Sequence, residues 1–276
     1  MGRYITPKIN KKKISEVLRE GKRLDGRTPF DLRDIQIETG ISNKAEGSAR
    51  IKIGKTEVIV GVKISTQEPY PDHDDEGTMM VGMEFSPACG LRYESGPPKM
   101  DSIEVSRVVD RGIRESGFID WKKLCIKKGE KVWSLMIDIY CINDDGNVLD
   151  ASALGVYSAL KFAKLPIYDE KNDIISYGKV SKNLVPLTKN EPLSMTFYKI
   201  GDNLLFDPTR DEEDAADARL TLAVSQPNKD KIINSMQKGG LKSLSSEDLK
   251  KIVKESEKIH EKVFPDIEKK IKKLLK

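Results

Sequence analysis

Residues 132–163 read VWSLMIDIYCINDDGNVLDASALGVYSALKFA, and this stretch decides the fold class. Val132 to Ile142 is strongly apolar and bounded by a turn signal, which predicts a strand. Asp144-Asp145-Gly146 turns the chain. Ala151 to Ala163 is a run of small and apolar residues, which predicts a buried helix that closes before Pro166. Working upstream, Asp101 to Ser116 predicts another helix, with Asp101 or Ser102 as cap and Glu104 in its first turn. Before it, Ile51 and Ile53 alternate with polar residues, Gly54-Lys55 turns, and Val58-Ile59-Val60 returns, a strand–turn–strand pattern over Ser48 to Ile64. Residues 67–77 are a loop rich in Pro and Asp, so the first half reads as βαβ-like.

At the N-terminus, Ile14, Val17 and Leu18 fall at i, i+3, i+4 and predict a short basic helix ending near Gly21. Downstream, Leu193 to Ile200 alternates as a strand, Gly201-Asp202-Asn203 turns, and Leu204-Leu205-Phe206 returns. Arg219 to Ser225 is a further strand. Ser245-Ser246 opens a long helix whose stripe is Leu249, Ile252, Val253, Ile259 and Val263. Hairpin, strand and helix recur in both halves, a hint of a duplicated α+β unit, and there is no G-x-G-x-x-G or P-loop.

Composition narrows the function classes. A chain of 276 residues can bury a core without disulfides. Lys and Glu dominate the charge, a bias of proteins from hot environments. The formal net charge of +4 is too small to indicate nucleic-acid binding, because placement matters more than total. Cys89, Cys125 and Cys141 share no metal-ligand spacing, so neither a disulfide framework nor a zinc site is expected. Met1 to Lys13 lacks the apolar core of a signal peptide, and no apolar run is long enough to span a bilayer. These features predict a soluble, cytoplasmic chain with no membrane partner.

Several segments together resemble the RNase PH family. They are Arg23-Leu24-Asp25-Gly26-Arg27, Asp31-Leu32-Arg33-Asp34-Ile35, Glu46-Gly47-Ser48-Ala49-Arg50 leading into Gly54-Lys55-Thr56, Ser102-Ile103-Glu104-Val105-Ser106, and the strand-to-helix run from Ile137 to Leu160. Their order and spacing, over roughly residues 21–225, carry the likeness. The resemblance implies an α+β, RNase PH-like fold of duplicated βαβ-type units (ribosomal protein S5 domain 2-like) in one compact two-lobed subunit. Residues 1–30 would be an N-terminal helix and extension, 31–190 a first RNase PH-like domain, and 191–276 a second with the C-terminal helix.

Active members of the family use inorganic phosphate to attack the terminal phosphodiester of RNA. Two anions must be held together, so cationic groups are required, with a carboxylate or metal to manage the proton or the leaving oxygen. Where catalytic members carry two adjacent arginines, this chain has Met100 and Asp101. Where they carry Gly-Thr-Arg before the small-residue helix, it has Gly146-Asn147-Val148, and Lys99 does not restore a bidentate clamp. Asp211 and Asp217 keep the six-residue spacing of the family's acidic pair, in altered surroundings, and read as a vestigial pair or as a solvated loop leading into a strand.

The pattern is most similar to the non-catalytic RNase PH-like subunits of archaeal exosome rings. The partners then expected are a homologous catalytic RNase PH-like subunit in an alternating trimer of heterodimers, RNA, and RNA-binding cap subunits. No catalytic residue, metal or cofactor is expected in this chain, with inorganic phosphate, and Mg²⁺ if used, belonging to the catalytic partner. RNA contact is expected from Arg107, Arg111 and Arg114, which share an arc of about 60° on the helix opposite Val105, Val108, Val109 and Ile113. The competing reading has Glu104 and Asp110 pair with Arg107 and Arg114 as a salt-bridged surface. His73 among Asp72, Asp74 and Asp75 reads as a solvated acidic loop, His260 as a surface residue, and the basic tail from Lys269 to Lys276 as a solvated helix end. A self-sufficient phosphorolytic exoribonuclease and a purely architectural ring component remain the two rivals.

Overall fold

The computed structural model of the chain describes residues 8–169, 172 and 174–274. The start of the predicted N-terminal extension, residues 1–7, and residues 275–276 of the basic tail lie outside the described residues. Helix α1 (Lys8–Arg19) precedes a sheet built from β1 (Ile35–Thr39), β2 (Gly47–Ile53), β3 (Thr56–Gln67), β4 (Thr78–Phe85), β5 (Cys125–Lys127) and β6 (Lys131–Asn143). The strand order is β1-β2-β3-β6-β4, with β5 beside β6. Helix α2 (Met100–Arg114) lies in the connection from β4 to β6, and those two strands are parallel. The βαβ-like reading of this half is therefore realised by β4, α2 and β6.

The apolar run at 132–142 becomes the inner strand between β3 and β4. Its Leu135, Ile137, Ile139 and Cys141 alternate inward, as do Val58, Val60, Val62 and Ile64 of β3, and all eight are buried. Helix α3 (Val148–Phe162) lies across β2 and β3. Its small residues have a packing reason. A Cβ at Gly155 would stand 2.6 Å from Val60 Cγ2, so helix and sheet approach too closely for any larger residue. The helix starts one turn before the predicted Ala151, because Asn147 adopts a left-handed conformation (φ 58°) and lets Val148 and Leu149 enter the core.

A two-stranded ribbon, β7 (Lys164–Asp169) with β8 (Ile174–Leu184), leads to the second half. There β9 (Pro192–Ile200), β10 (Asn203–Phe206), β11 (Ala218–Ser225) and β12 (Ile232–Gly240) form an antiparallel sheet of order β10-β9-β11-β12. The short α4 (Arg210–Ala215) links β10 to β11. The long α5 (Ser246–Leu274) packs back against β1 and β9 through a stripe that includes buried Ile252, Ile259, Ile267 and Ile271. One contiguous apolar core runs through both sheets. Burying that much apolar surface at about 25 cal/mol per Å² is the main term holding them together.

Candidate nucleic-acid interface

Helix α2 buries Val105, Val108, Val109 and Ile113, as its spacing predicts. Its cap differs from expectation. Lys99 is the N-cap with no side-chain cap bond, Asp101 lies within the first turn, and Ser102 is buried. On the outer face Arg107 and Arg111 are exposed, and among the described residues neither guanidinium has an ion pair or hydrogen bond. Arg114 is committed elsewhere. It pairs with Asp110 at 2.7 Å, donates to the Met79 carbonyl at 2.9 Å, and sits 5.5 Å from the Trp121 ring centroid. Glu104, three residues before Arg107, takes a partner from the second sheet, Arg219 of β11, at 2.6 Å. The structure thus brings Arg107 and Arg111 together as an uncompensated pair and detaches Arg114 from it.

A second cluster fills the turn between β6 and α3. Gly146 has φ 85°, and a Cβ there would lie 2.5 Å from the Thr209 carbonyl carbon, so the turn is pressed against the start of α4. Glu213 of α4 accepts a hydrogen bond from the Asn147 backbone N–H at 2.9 Å. Arg210 reaches Asp144 at 3.0 Å, Asp214 at 2.8 Å and Glu213 at 3.4 Å. Burial alone would lower the pKa of Arg210, but Glu213, Asp144 and Asp214 raise it above its ordinary value. Arg92 holds Asp214 with two bonds of 2.9 and 2.6 Å. Burial works to raise the Asp214 carboxyl, and Arg92 and Arg210 overcome it and hold it low. Tyr93 stacks on Phe85 (ring centroids 4.4 Å apart) and donates to Asp144. The sequence gives no sign of Arg210, Glu213 and Asp214 as members of this cluster, because α4 is only six residues long and shows no periodicity.

Beneath this cluster lies Asp207, fully buried and at φ 49°. Its carboxylate accepts from Arg27, from the Arg33 backbone and guanidinium, and from Asn147 Nδ2, at 2.8–2.9 Å. Burial pushes its pKa up, but Arg33 and the other donors bring it below the usual carboxylate range. Arg23 forms a buried ion pair with Glu212 and donates to the carbonyls of Phe206 and Asp207. The arginines of the quoted N-terminal segments therefore bind the second half of the chain to the first.

The acidic pair separates. Asp211 is exposed in the first turn of α4, whereas Asp217 follows that helix and is held by Lys11 at 2.7 Å, Lys242 at 3.0 Å and the Gly201 N–H at 2.9 Å. Burial opposes this, but those donors bring the Asp217 pKa down to about 2. Their six-residue spacing is occupied by a helix rather than by the expected loop. Met100 is 76% exposed and Asp101 is exposed, while Val148 is buried in the core. His73 is exposed in its acidic loop, 3.1 Å from Glu76. His260 is a correction: it is 2% exposed, stacked on Phe264, with both ring nitrogens unpartnered. Helix α5 buries a wider face than its apolar stripe implies, with Ser256 and His260 on it. The three cysteines are free. No helix among the described residues is long and apolar enough to cross a membrane.

Two family models match this chain. Residues 31–166 match domain 1 of the 3′ exoribonuclease family and residues 190–259 match domain 2. The chain is 42% identical over 254 residues to the exosome complex component Rrp42 of Methanocella arvoryzae, covering 92% of this chain and 94% of the relative. It is 40% identical over 249 residues to the component of the same name from Methanothermobacter thermautotrophicus, covering 90% of each. Among solved structures, a chain of the Archaeoglobus fulgidus exosome with RNA bound to the active site superposes with a TM-score of 0.82 at 38% identity, covering 92% of this chain and 98% of the other. A chain of an archaeal exosome core gives 0.81 at 36% identity, covering 95% and 97%.

Proposed function

The chain belongs to the 3′ exoribonuclease family of RNase PH-like proteins, and from that premise we propose that it is a non-catalytic, RNA-contacting subunit of a cytoplasmic exosome ring. A homologous catalytic subunit would alternate with it, hold the inorganic phosphate, and carry out 3′-to-5′ degradation. RNA-binding cap subunits would complete the assembly. The RNA-contact reading is carried by Arg107 and Arg111, two exposed guanidiniums one turn apart on one helix face, with Glu104 and Asp110, the acids flanking Arg107, both engaged elsewhere. A guanidinium fork suits a phosphate oxygen pair, and such contacts are indifferent to base identity.

The absence of catalysis is supported by the second cluster. Phosphorolysis needs cations converging on an incoming anion. At the turn before α3 the Asn147 N–H already serves the chain's own Glu213, and the nearby cations Arg92 and Arg210 are bound to Asp144, Glu213 and Asp214. Val148 points into the core where the family places an arginine, and Asp217 is held by two lysines. The test is direct. Purified chain with single-stranded RNA, phosphate and Mg²⁺ is expected to release no nucleoside diphosphate, and addition of the homologous catalytic subunit is expected to restore release. Robust release by a partner-free preparation would overturn the non-catalytic reading.

A further inference from the structure

Given RNA contact through α2, we infer that Arg219 is a positioning residue for it: Arg219 draws Glu104 away and keeps Arg107 free for phosphate. On an isolated helix Glu104 and Arg107, three residues apart, would pair across one turn. In the fold, Glu104 Oε1 instead meets Arg219 Nη2 at 2.6 Å. Arg219 projects from β11, a strand of the other sheet, so the contact spans 115 residues and is made only in the folded chain.

The socket for Arg219 is built. In the β11–β12 register Arg219 stands opposite Gly239. A Cβ at Gly239 would lie 2.6 Å from Nη2 and 2.8 Å from Cζ of Arg219, so only glycine leaves the guanidinium its place. The side chain is 13% exposed, and its Nε is buried without a partner. Arg219 is therefore badly placed to touch RNA itself and well placed to act on Glu104. With Asp110 held by Arg114, both acids three residues from Arg107 are diverted, and its positive charge is left without a partner on the helix. A condensed counterion is released for each phosphate so neutralised.

The experiment measures equilibrium binding of a labelled single-stranded oligoribonucleotide to the chain assembled with its catalytic homologue, over a series of salt concentrations. The variants are Arg107→Ala with Arg111→Ala, Gly239→Ala, Arg219→Gln, and each of the last two combined with Glu104→Gln. Gly239→Ala changes no charge, so it separates positioning from a simple loss of positive charge, and it stands in where Arg219→Gln lowers the melting temperature. Gly239→Ala and Arg219→Gln are expected to weaken binding severalfold and to flatten the salt slope by about 0.7, one single-strand phosphate contact. Glu104→Gln is expected to restore both quantities. Wild-type binding by these two variants, with the double alanine variant weakened, would overturn the role of Arg219 and leave RNA contact standing. Weakening that Glu104→Gln does not rescue would also overturn it, since a merely structural defect behaves so. An unaffected double alanine variant would overturn RNA contact through α2 and this role together.

Discussion

The Glu213 carboxylate lies 2.9 Å from the backbone nitrogen of Asn147, so the residue that opens α3 is served by an acid from α4. An anion is favourable at a helix N-terminus, where unpaired N–H groups and the helix dipole converge. Arg210 supports the same carboxylate at 3.4 Å. The chain thus supplies internally what an external phosphate would otherwise provide.

Glu213→Gln should destabilise the fold by about 1–2 kcal/mol, because it weakens a charge-assisted hydrogen bond and leaves Arg210 with one acid fewer. Urea denaturation of both proteins measures this. Inorganic phosphate should leave the wild-type melting temperature unchanged. A phosphate-dependent rise would mean that the turn accepts an external anion despite Glu213.

Changing Arg107 and Arg111 together to alanine should cost less than about 1 kcal/mol in stability, since both are exposed and unpaired. RNA affinity of the assembled complex should fall, and the salt slope should lose about 0.7 for each phosphate contact removed. The loss should be equal for unrelated RNA sequences. Arg114→Ala should behave oppositely, lowering stability more than affinity, because its guanidinium is tied to Asp110 and the Met79 carbonyl.

Asp207→Asn should be among the most damaging single changes outside the apolar core. It keeps the residue's shape and tolerance for positive φ while removing the charge that faces Arg27 and Arg33. Breaking a buried ion pair typically costs about 3–5 kcal/mol. Chemical denaturation gives the value, and a loss under about 1 kcal/mol would show that Asp207 is not the clasp between the halves.

His260 makes stability depend on pH. Burial and the nearby Lys231 push its pKa down to about 4, below the ordinary value of 6.5. The unfolded chain therefore binds the extra proton first, and stability is lost as pH falls from 6.5 through 4. His260→Phe places an apolar ring against Phe264 and removes two unpartnered nitrogens. Melting curves of the variant should lie at or above wild type at neutral pH and should pull further ahead towards pH 4. A gap that stays constant with pH would rule out His260 as the titrating group.

Burial that imposes a simple period on a strand or helix leaves its mark in the sequence. β2, β3, β6, β9 and β11 lie where alternation or apolar runs placed them, and α2 buries the four residues predicted for it. Elements whose burial is irregular leave no such mark. β12 is an edge strand with Lys238 and exposed Ile232, Ile233 and Met236, so it has no buried face to impose a pattern. β4 carries three methionines and a glycine beside its two β-branched residues, Thr78 and Val81, and its place is set by pairing with β6.

By itself, the sequence determined the family, the α+β class and the presence of Met100, Asp101 and Val148 where the resemblance implies arginines, because order, spacing and residue type are one-dimensional facts. Spacing along α2 allowed Glu104 to pair with Arg107 and Asp110 with Arg114, and the fold kept only the second pairing. Glu104 leaves its own helix for Arg219, and Asp110 takes Arg114. The same holds for Asp211 and Asp217, which the sequence sets six residues apart and α4 assigns to different surroundings. Charge pairing depends on distance in space, and the partners that decided these cases stand up to 206 residues away along the chain.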